Sequence, residues 1–489
     1  MTAGPLFLGF DVGTQSTKAL VVDTTTGGTV ARAQHPHAFV EGLPTGHIEQ
    51  HPEQWWDAVA ATAREVLQHV DRTRIAGIGV SGQQHGAVVL DGSGAVVRPA
   101  KLWCDTATAA EARELSARTG RAVPTGFTAS KLLWLARHEG RSWAAVQRVL
   151  LPHDFINLRL TGEASMEFGD ASGTGFFAPE QRRFDPAAMA AIDPRLSSML
   201  PALRPVGELA GRLSQTAAER TGLPAGIPVA PGGGDNMMSA IGSGATRAGV
   251  VVVSLGTSGT IFTRTERCVV DPKGSIAPFC SSDGAWLPLL CVMNLTGVSE
   301  EVKLLTGLSH AELSKLAADV PTGCAGLLWL PFLVGERVPD LPLATGTLLG
   351  LRPGLLRAGH LYRAALEGTS LNLGAGLDRL RGLGLQIAEV RVTGGASQNP
   401  LWRQILANVF DVPVRPLLEA ESAALGAALQ AAWCVRRLAG EKNLGTDAVA
   451  APFVRLGAET RPDAALRSQH DSLRSRFDTE VARQHPESR

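Results

Sequence analysis

Val250-Val251-Val252-Val253-Ser254-Leu255-Gly256-Thr257-Ser258-Gly259-Thr260-Ile261-Phe262 is a β-rich run, a Gly-Thr turn and a second β-rich run. The same order stands near the start of the chain, in Leu8-Gly9-Phe10-Asp11-Val12-Gly13-Thr14-Gln15-Ser16-Thr17-Lys18-Ala19-Leu20. Gly13 and Gly256, Thr14 and Thr257, and Thr17 and Thr260 match at one constant offset, about half of the 489 residues. A self-match at that spacing reads as a duplicated fold, one hairpin in each half.

The first hairpin is not a nucleotide-binding P-loop. That motif needs GxxxxGK[ST] leading into a helix, and here the chain returns as the strand Ala19-Leu20-Val21-Val22. Gly13 with the hydroxyls of Thr14, Ser16 and Thr17 offers N–H and O–H donors to an anion, and Asp11 is placed to hold a hydrated divalent cation. A solvated Asp on a plain turn is the competing reading. Gly77, Gly79 and Gly82 spell GxGxxG. The dinucleotide reading fails because a helix must start there, whereas a strand (Ala87 to Leu90) and an Asp91-Gly92 turn follow. Between these runs lies Gln83-Gln84-His85, polar enough to suggest a polyol site rather than a loop that only satisfies itself.

Pro231-Gly232-Gly233-Gly234-Asp235-Asn236 puts one carboxylate behind three glycines, just before the second hairpin. Glycines let the backbone approach closely, so Asp235 is either a helix cap for Met237-Met238-Ser239-Ala240 or a carboxylate aimed into a cleft. Trp103 and Asp105 flank Cys104 in what reads as a short strand, an arrangement that puts an aromatic plate beside a carboxylate on one face. Pro52 opens an amphipathic helix with Trp56, Val59, Ala63 and Val66 at helical spacing. Residues 130–138, 143–149 and 154–160 read as helices and 165–178 as loop. Gly394-Gly395-Ala396-Ser397-Gln398-Asn399 feeds a helix whose first residue is Pro400, a loop suited to close approach of a nucleotide.

Composition narrows the class. Lys+Arg and Asp+Glu both number 46, and a net charge of zero argues against a nucleic-acid or membrane-surface partner. Six cysteines lack metal-ligand spacing, which argues for free thiols in a cytoplasmic protein. The longest apolar helix candidate, Ala423 to Trp433, is too short to span a bilayer.

Together these pieces resemble the FGGY family of carbohydrate kinases, within the actin/hexokinase-like ATPases. The likeness runs over residues 6–440 and includes a further signature, Gly346-x-Leu348-x-Gly350-Leu351 followed after eight residues by His360-Leu361-x-x-Ala364-Ala365-Leu366-Glu367. It implies an α/β fold of two actin/hexokinase-like (ribonuclease H-like) domains, 1–244 and 245–489, flanking an active-site cleft with a hinge near 243–250. Within the family, Ser81-Gly82-Gln83-Gln84-His85-Gly86 and Leu102-Trp103-Cys104-Asp105 are most similar to the members that phosphorylate xylulose, which carry Gln-Met-His-Gly and Leu-Trp-Asn-Asp there.

The resemblance implies ATP and Mg²⁺ as cofactors and a small-molecule sugar as partner, with no nucleic acid and no membrane; a homodimer is compatible with it. It makes Asp235 the general base and Asp11 the Mg²⁺ residue. Gly13, Thr14, Lys18, Gly256 and Thr257 then hold the phosphates, and Gly394, Gly395, Ala396 and Asn399 the adenosine. Gln84, His85, Trp103, Asp105, Asp235 and Asn236 line the sugar site. A kinase for ribulose or a pentitol and a non-catalytic sensor on the same fold are the alternatives.

Overall fold

The computed structural model describes residues 4–486. β1 (Leu6–Val12) and β2 (Ser16–Asp23) pair antiparallel, with Asp11 opposite Lys18. β3 (Gly28–Pro36) continues the antiparallel edge, while β4 (Ile75–Gly82) lies parallel to β1 and β5 (Pro228–Val229) parallel to β4. The order through this sheet is β3-β2-β1-β4-β5. β1 and β4 are apolar along nearly their whole length because both faces are covered. One cover is α1 (Pro52–Val66), which turns Trp55, Val59, Ala63 and Val66 into the core. Trp55 is fully buried and Trp56 half-buried, the reverse of what the spacing from Trp56 predicts. The indole N–H explains the choice, since Trp55 donates to buried Gln50 Oε1 at 3.0 Å.

α2 (Asp235–Gly242) carries the chain towards the second sheet, made of β6 (Val250–Ser254), β7 (Gly259–Thr263), β8 (Ala277–Cys280), β9 (Trp286–Val292), β10 (Glu389–Thr393) and β11 (Val414–Pro416). Its order is β8-β9-β7-β6-β10-β11, antiparallel as far as β6 and parallel from β6 to β11. β6 thus takes the place of β1, β7 of β2, β9 of β3, β10 of β4 and β11 of β5. The hairpin registers differ by one residue between the copies, since Phe10 pairs with Ala19 but Val253 with Ile261. α3 (Pro400–Phe410) starts on its proline, with Asn399 Oδ1 accepting from the N–H groups of Leu401 (3.0 Å) and Trp402 (3.2 Å).

α4 (Ser422–Leu438) belongs to the second half in sequence and lies across the first sheet. Its approach is backbone on backbone. A Cβ built on Gly9 would stand 2.0 Å from Ala424 O, and one on Gly79 1.9 Å from Ala427 O. α2 and α4 cross just as closely, since a Cβ on Gly426 would stand 1.8 Å from Met238 O. Around this crossing Met237, Met238, Ile241, Val250, Val252, Phe262 and the alanines of α4 form one buried cluster shared by both sheets. No helix among the described residues is long and apolar enough to cross a membrane.

Three local expectations differ. The expected helix over 143–149 is a short helix, Gly140–Ala145, followed by a strand, Arg148–Leu150, paired with Val88–Leu90, which buries Val149 and Leu150. The expected loop over 165–178 holds a strand, Ser165–Glu167, and a one-turn helix, Phe168–Ala171. The Glu167 carboxylate makes that turn by accepting from Gly169 N at 2.7 Å and from Asp170 N. The strand expected to carry Trp103 and Asp105 ends at Lys101.

Gly9→Ala tests the crossing. Its methyl group meets backbone rather than a movable side chain, so we expect about 1–3 kcal/mol of destabilisation, read as a lower urea midpoint. An unchanged midpoint would mean that the sheet and α4 do not touch there.

Candidate active site

Between the two sheets the strand and helix ends form a cleft. Asp11, near the end of β1, accepts from Ser81 Oγ on β4 at 2.8 Å. Asp235 is the first residue of α2, and Gly234 takes the N-cap position, so Asp235 is not the cap. Its Oδ1 accepts from Asn236 N (2.7 Å) and Asn236 Nδ2 (2.8 Å). Gly232, at φ 74°, makes the turn that delivers it: a Cβ there would stand 2.4 Å from Val80 O. Asp11, Asp235, Lys18 and Glu421, with Ser239 and Ser254, line a pocket of 230 Å³. Lys18 is ion-paired to Glu421 at 2.6 Å. Burial pushes Asp11 up to about 6, against the pull of Ser81 and Lys18. Burial, and next the charge of Asp11, push Asp235 up to about 7. The pocket holds more carboxylates than cations and so suits a ligand that brings positive charge.

Asp235 and Asn236 also line a second cavity, of 280 Å³, with Gln84, His85 and Trp103. Asn236 ties the two walls together: Nδ2 donates to Gln84 Oε1 at 2.9 Å, and Oδ1 accepts from Thr260 Oγ1 of β7 at 2.9 Å. His85 has φ 64° and packs its ring against Phe127 and Phe279, with centroids 4.7 and 5.8 Å away. Burial, then the charges of Lys131 and Arg337, hold it well below the usual histidine range, so the imidazole is neutral. Trp103 Nε1 donates to Thr14 Oγ1 at 2.9 Å, which fixes the indole plane on the cavity wall.

A third cavity, of 780 Å³, opens beside the second hairpin. Gly256 and Thr257 line one side, and Gly395, Ala396 and Asn399 the other. Gly394 has φ 88° and lies on Leu255 O, where a Cβ would come to 2.6 Å; it lines the carboxylate pocket.

Two groups of expected site residues are placed differently. Asp105 lines none of these cavities. Its oxygens accept from Ile48 N (2.9 Å), Ala107 N (3.1 Å) and Lys101 Nζ (3.1 Å). That ammonium also meets Glu49 Oε1 at 3.0 Å and His47 Nδ1 at 3.1 Å. His47, Glu49 and Asp105 have the spacing of a metal site, but Lys101 already supplies the cation. Because the strand ends at Lys101, Trp103 and Asp105 do not alternate on one face. Gly13 and Thr14 are the other group. Gly13 N–H closes the turn on Ser16 O at 3.0 Å, and Thr14 Oγ1 donates to Gln83 Oε1 at 3.0 Å while accepting from Trp103. These donors hold the sugar-side wall together and are not free for phosphate.

The sequence reading missed Ser81, Thr260 and Arg337, and missed the Tyr362, His310 and Glu300 group in the third cavity. Ser81 carries a signal: it lies near the end of a buried strand, just before a polar run. Thr260 sits in the second hairpin itself, and the others are brought in by loops and helices far away in the chain.

The chain matches the sequence models of the FGGY family of carbohydrate kinases, N-terminal domain over residues 6–242 and C-terminal domain over 251–435. The chain belongs to the FGGY family of carbohydrate kinases. FGGY relatives include the xylulose kinase of Haemophilus influenzae, 38% identical over 446 residues, covering 88% of this chain and 90% of that one. The xylulose kinase of Streptomyces coelicolor is 41% identical over 444 residues, covering 88% of each. The crystal structure of xylulose kinase from Rhodospirillum rubrum superposes with a TM-score of 0.89 at 31% identity, covering 99% of both chains. The two-domain fold is that of this family, and the chain is a carbohydrate kinase with ATP as phosphoryl donor.

Asp105→Asn separates a structural from a substrate role. It weakens a buried ion cluster, where losing one partner costs about 3–5 kcal/mol. We expect a marked fall in melting temperature with an unchanged KM for the sugar. A raised KM at unchanged stability would return Asp105 to the substrate site.

Proposed function

We propose that this chain phosphorylates D-xylulose with ATP, giving D-xylulose 5-phosphate and ADP. The observation that carries the reading is Asp235, which lines both the 280 Å³ cavity and the carboxylate pocket beside Asp11. A base that removes a proton from a sugar hydroxyl next to a phosphate must stand at such a junction. The choice of xylulose is supported by the relatives, named as xylulose kinases, and by the Gln84-His85 and Trp103 wall.

Asp235 accepts the proton of the terminal hydroxyl as its oxygen attacks the γ-phosphorus, and the bond to the β-phosphate oxygen breaks. General-base help contributes roughly 10²–10⁴ in rate, most effectively when the pKa lies near the working pH. At about 7, Asp235 meets that condition. Gln84, His85, Trp103 and Asn236 orient the sugar through neutral donors and acceptors and one aromatic plate. Gly256 and Thr257 face the phosphates, and Gly395 and Ala396 leave the 780 Å³ cavity open to the adenosine. Asn399 acts one step back, capping α3 while its Nδ2 donates to Ser314 Oγ at 2.9 Å.

Mg²⁺ fits beside Asp11. The donors there are hard oxygens, a carboxylate with the hydroxyls of Ser239 and Ser254, and the raised Asp11 marks a site short of positive charge. When bound, the cation neutralises charge on the phosphates. Lys18 is committed to Glu421 and holds the wall rather than the phosphate. The two halves close about the cleft and exclude water, which would otherwise accept the phosphoryl group.

A coupled ADP-release assay over xylulose, ribulose and pentitols tests the substrate; turnover of another sugar in preference to xylulose overturns the choice. Asp235→Asn is expected to lower kcat by roughly 10²–10⁴ with little change in either KM, and wild-type turnover would remove it as the base. Because only the ionised carboxylate accepts a proton, kcat/KM should fall as the pH drops through about 7. That acid limb should vanish in Asp235→Asn. Asp11→Asn is expected to raise the Mg²⁺ concentration needed for half-maximal turnover; an unchanged Mg²⁺ requirement argues against Asp11 as its residue.

A further inference from the structure

The wall of the sugar cavity carries one full positive charge that the proposed reaction leaves unused. Arg337 lines the cavity with Trp103, His85 and Asp235. It comes from the other half of the molecule, on the segment that joins the 328–330 strand to Thr347–Leu349. Its guanidinium crosses to the first half, where a Cβ on Gly126 would stand 3.9 Å from Arg337 Nη2. The residue is solvent-exposed at the cavity mouth. Among the described residues its guanidinium has no hydrogen-bond or ion-pair partner.

The segment does not place Arg337 there by chance. Its neighbour Glu336 is buried, 3% exposed, and pins the backbone to the second half. Glu336 Oε1 accepts from Met293 N (2.6 Å) and Arg337 N (2.7 Å). Glu336 Oε2 accepts from Asn294 Nδ2 (3.2 Å) and Asn372 Nδ2 (3.1 Å). With the Glu336 side chain fixed inward and bonding its neighbour's own N–H, the Arg337 side chain is left to the cavity.

We propose that Arg337 is a substrate-binding residue: its guanidinium hydrogen-bonds hydroxyl or carbonyl oxygens of the ketose and adds a charged donor from the second half to the polar groups of Gln84, His85, Trp103 and Asn236 from the first. This deepens the xylulose reading above and rests on it for the identity of the sugar. A planar fork of N–H donors matches the paired oxygens of a polyol in a way that a point ammonium does not. The position also explains how sugar binding is felt across the cleft. A bound ketose satisfies a donor carried by one half and acceptors carried by the other, and so favours the closed form over the open one.

Arg337→Gln and Arg337→Lys are measured in the full chain, with KM for sugar and for ATP determined separately. Wild type is first run over the sugar panel, and the sugar it turns over is the one used. Failure of wild type on xylulose therefore strikes the substrate reading, while the Arg337 comparison proceeds on the accepted sugar. We expect Arg337→Gln to raise the sugar KM tenfold or more, with the ATP KM within twofold of wild type and the melting temperature unchanged. Arg337→Lys keeps the charge but not the fork, and should raise the sugar KM at least threefold; it decides the matter if the Gln variant does not fold. A sugar KM within twofold of wild type in a folded variant overturns the proposal. So does an equal rise in both KM values, which would mark a merely structural role.

Discussion

The two halves of this kinase meet where backbone touches backbone. Gly9 and Gly79 let α4 settle on the first sheet, and Gly426 lets α2 and α4 cross with no side chain between them. The carboxylates of the pocket hang from elements held by that contact, and the second sheet closes it from the other side. Asp11 lies near the end of β1, Asp235 is the first residue of α2, and Glu421 directly precedes α4. Ser254 ends β6 and Gly394 follows β10. A wider crossing would move strand ends and helix starts apart by different amounts, and groups that must stand within a few ångströms of one phosphate would separate. The methyl-free surface is therefore a condition of the chemistry as well as of the packing, since phosphoryl transfer depends chiefly on positioning.

Two carboxylate clusters, one within the first half and one between the halves, show how the fold treats charge. Glu49 and Asp105 are sealed inside with Lys101 and with Arg98, whose Nη2 meets Glu49 at 2.7 Å. Positive charge is built in, and burying both signs together limits the desolvation cost. Asp11, Asp235 and Glu421 share a single lysine, and Asp11 and Asp235 rise above the usual carboxylate range. The first cluster is complete as it stands and serves stability. The second is short of cations and serves a ligand that supplies them.

That distinction also marks where the sequence was readable. The paired hairpins, the strand nature of the Gly77 to Gly82 run and the Pro400 helix start were legible because each depends on residues within a turn or two. Asp235 was legible as an aimed carboxylate because glycines precede it. Asp105 was not, because Ile48, which donates to it, and Glu49, which shares Lys101 with it, come from or just before a strand that pairs over long range. The Gly13 N–H and the Thr14 hydroxyl looked free in sequence but donate to Ser16 O and Gln83 Oε1, while Thr14 Oγ1 accepts from Trp103. Arg337 gives no local sign at all, because its direction is set by Glu336 bonding to Met293, Asn294 and Asn372.

A general base on a flexible loop would reach the sugar hydroxyl more easily, so its place at the start of a helix needs a reason. Asp235 is the first residue of α2, where the positive end of the helix dipole favours a carboxylate. Asn236 adds two donors to the same oxygen. These favour the ionised form, while burial and the charge of Asp11 oppose it. A carboxylate with only the opposing influences would stay protonated and accept nothing; one with only the favouring influences would be too weak a base. The balance near 7 requires both, and the glycine turn that brings Asp235 close to Asp11 also starts the helix that restrains the consequence. The stretch Pro231 to Asn236 thus sets the geometry of the base, and shares the setting of its basicity with burial and Asp11.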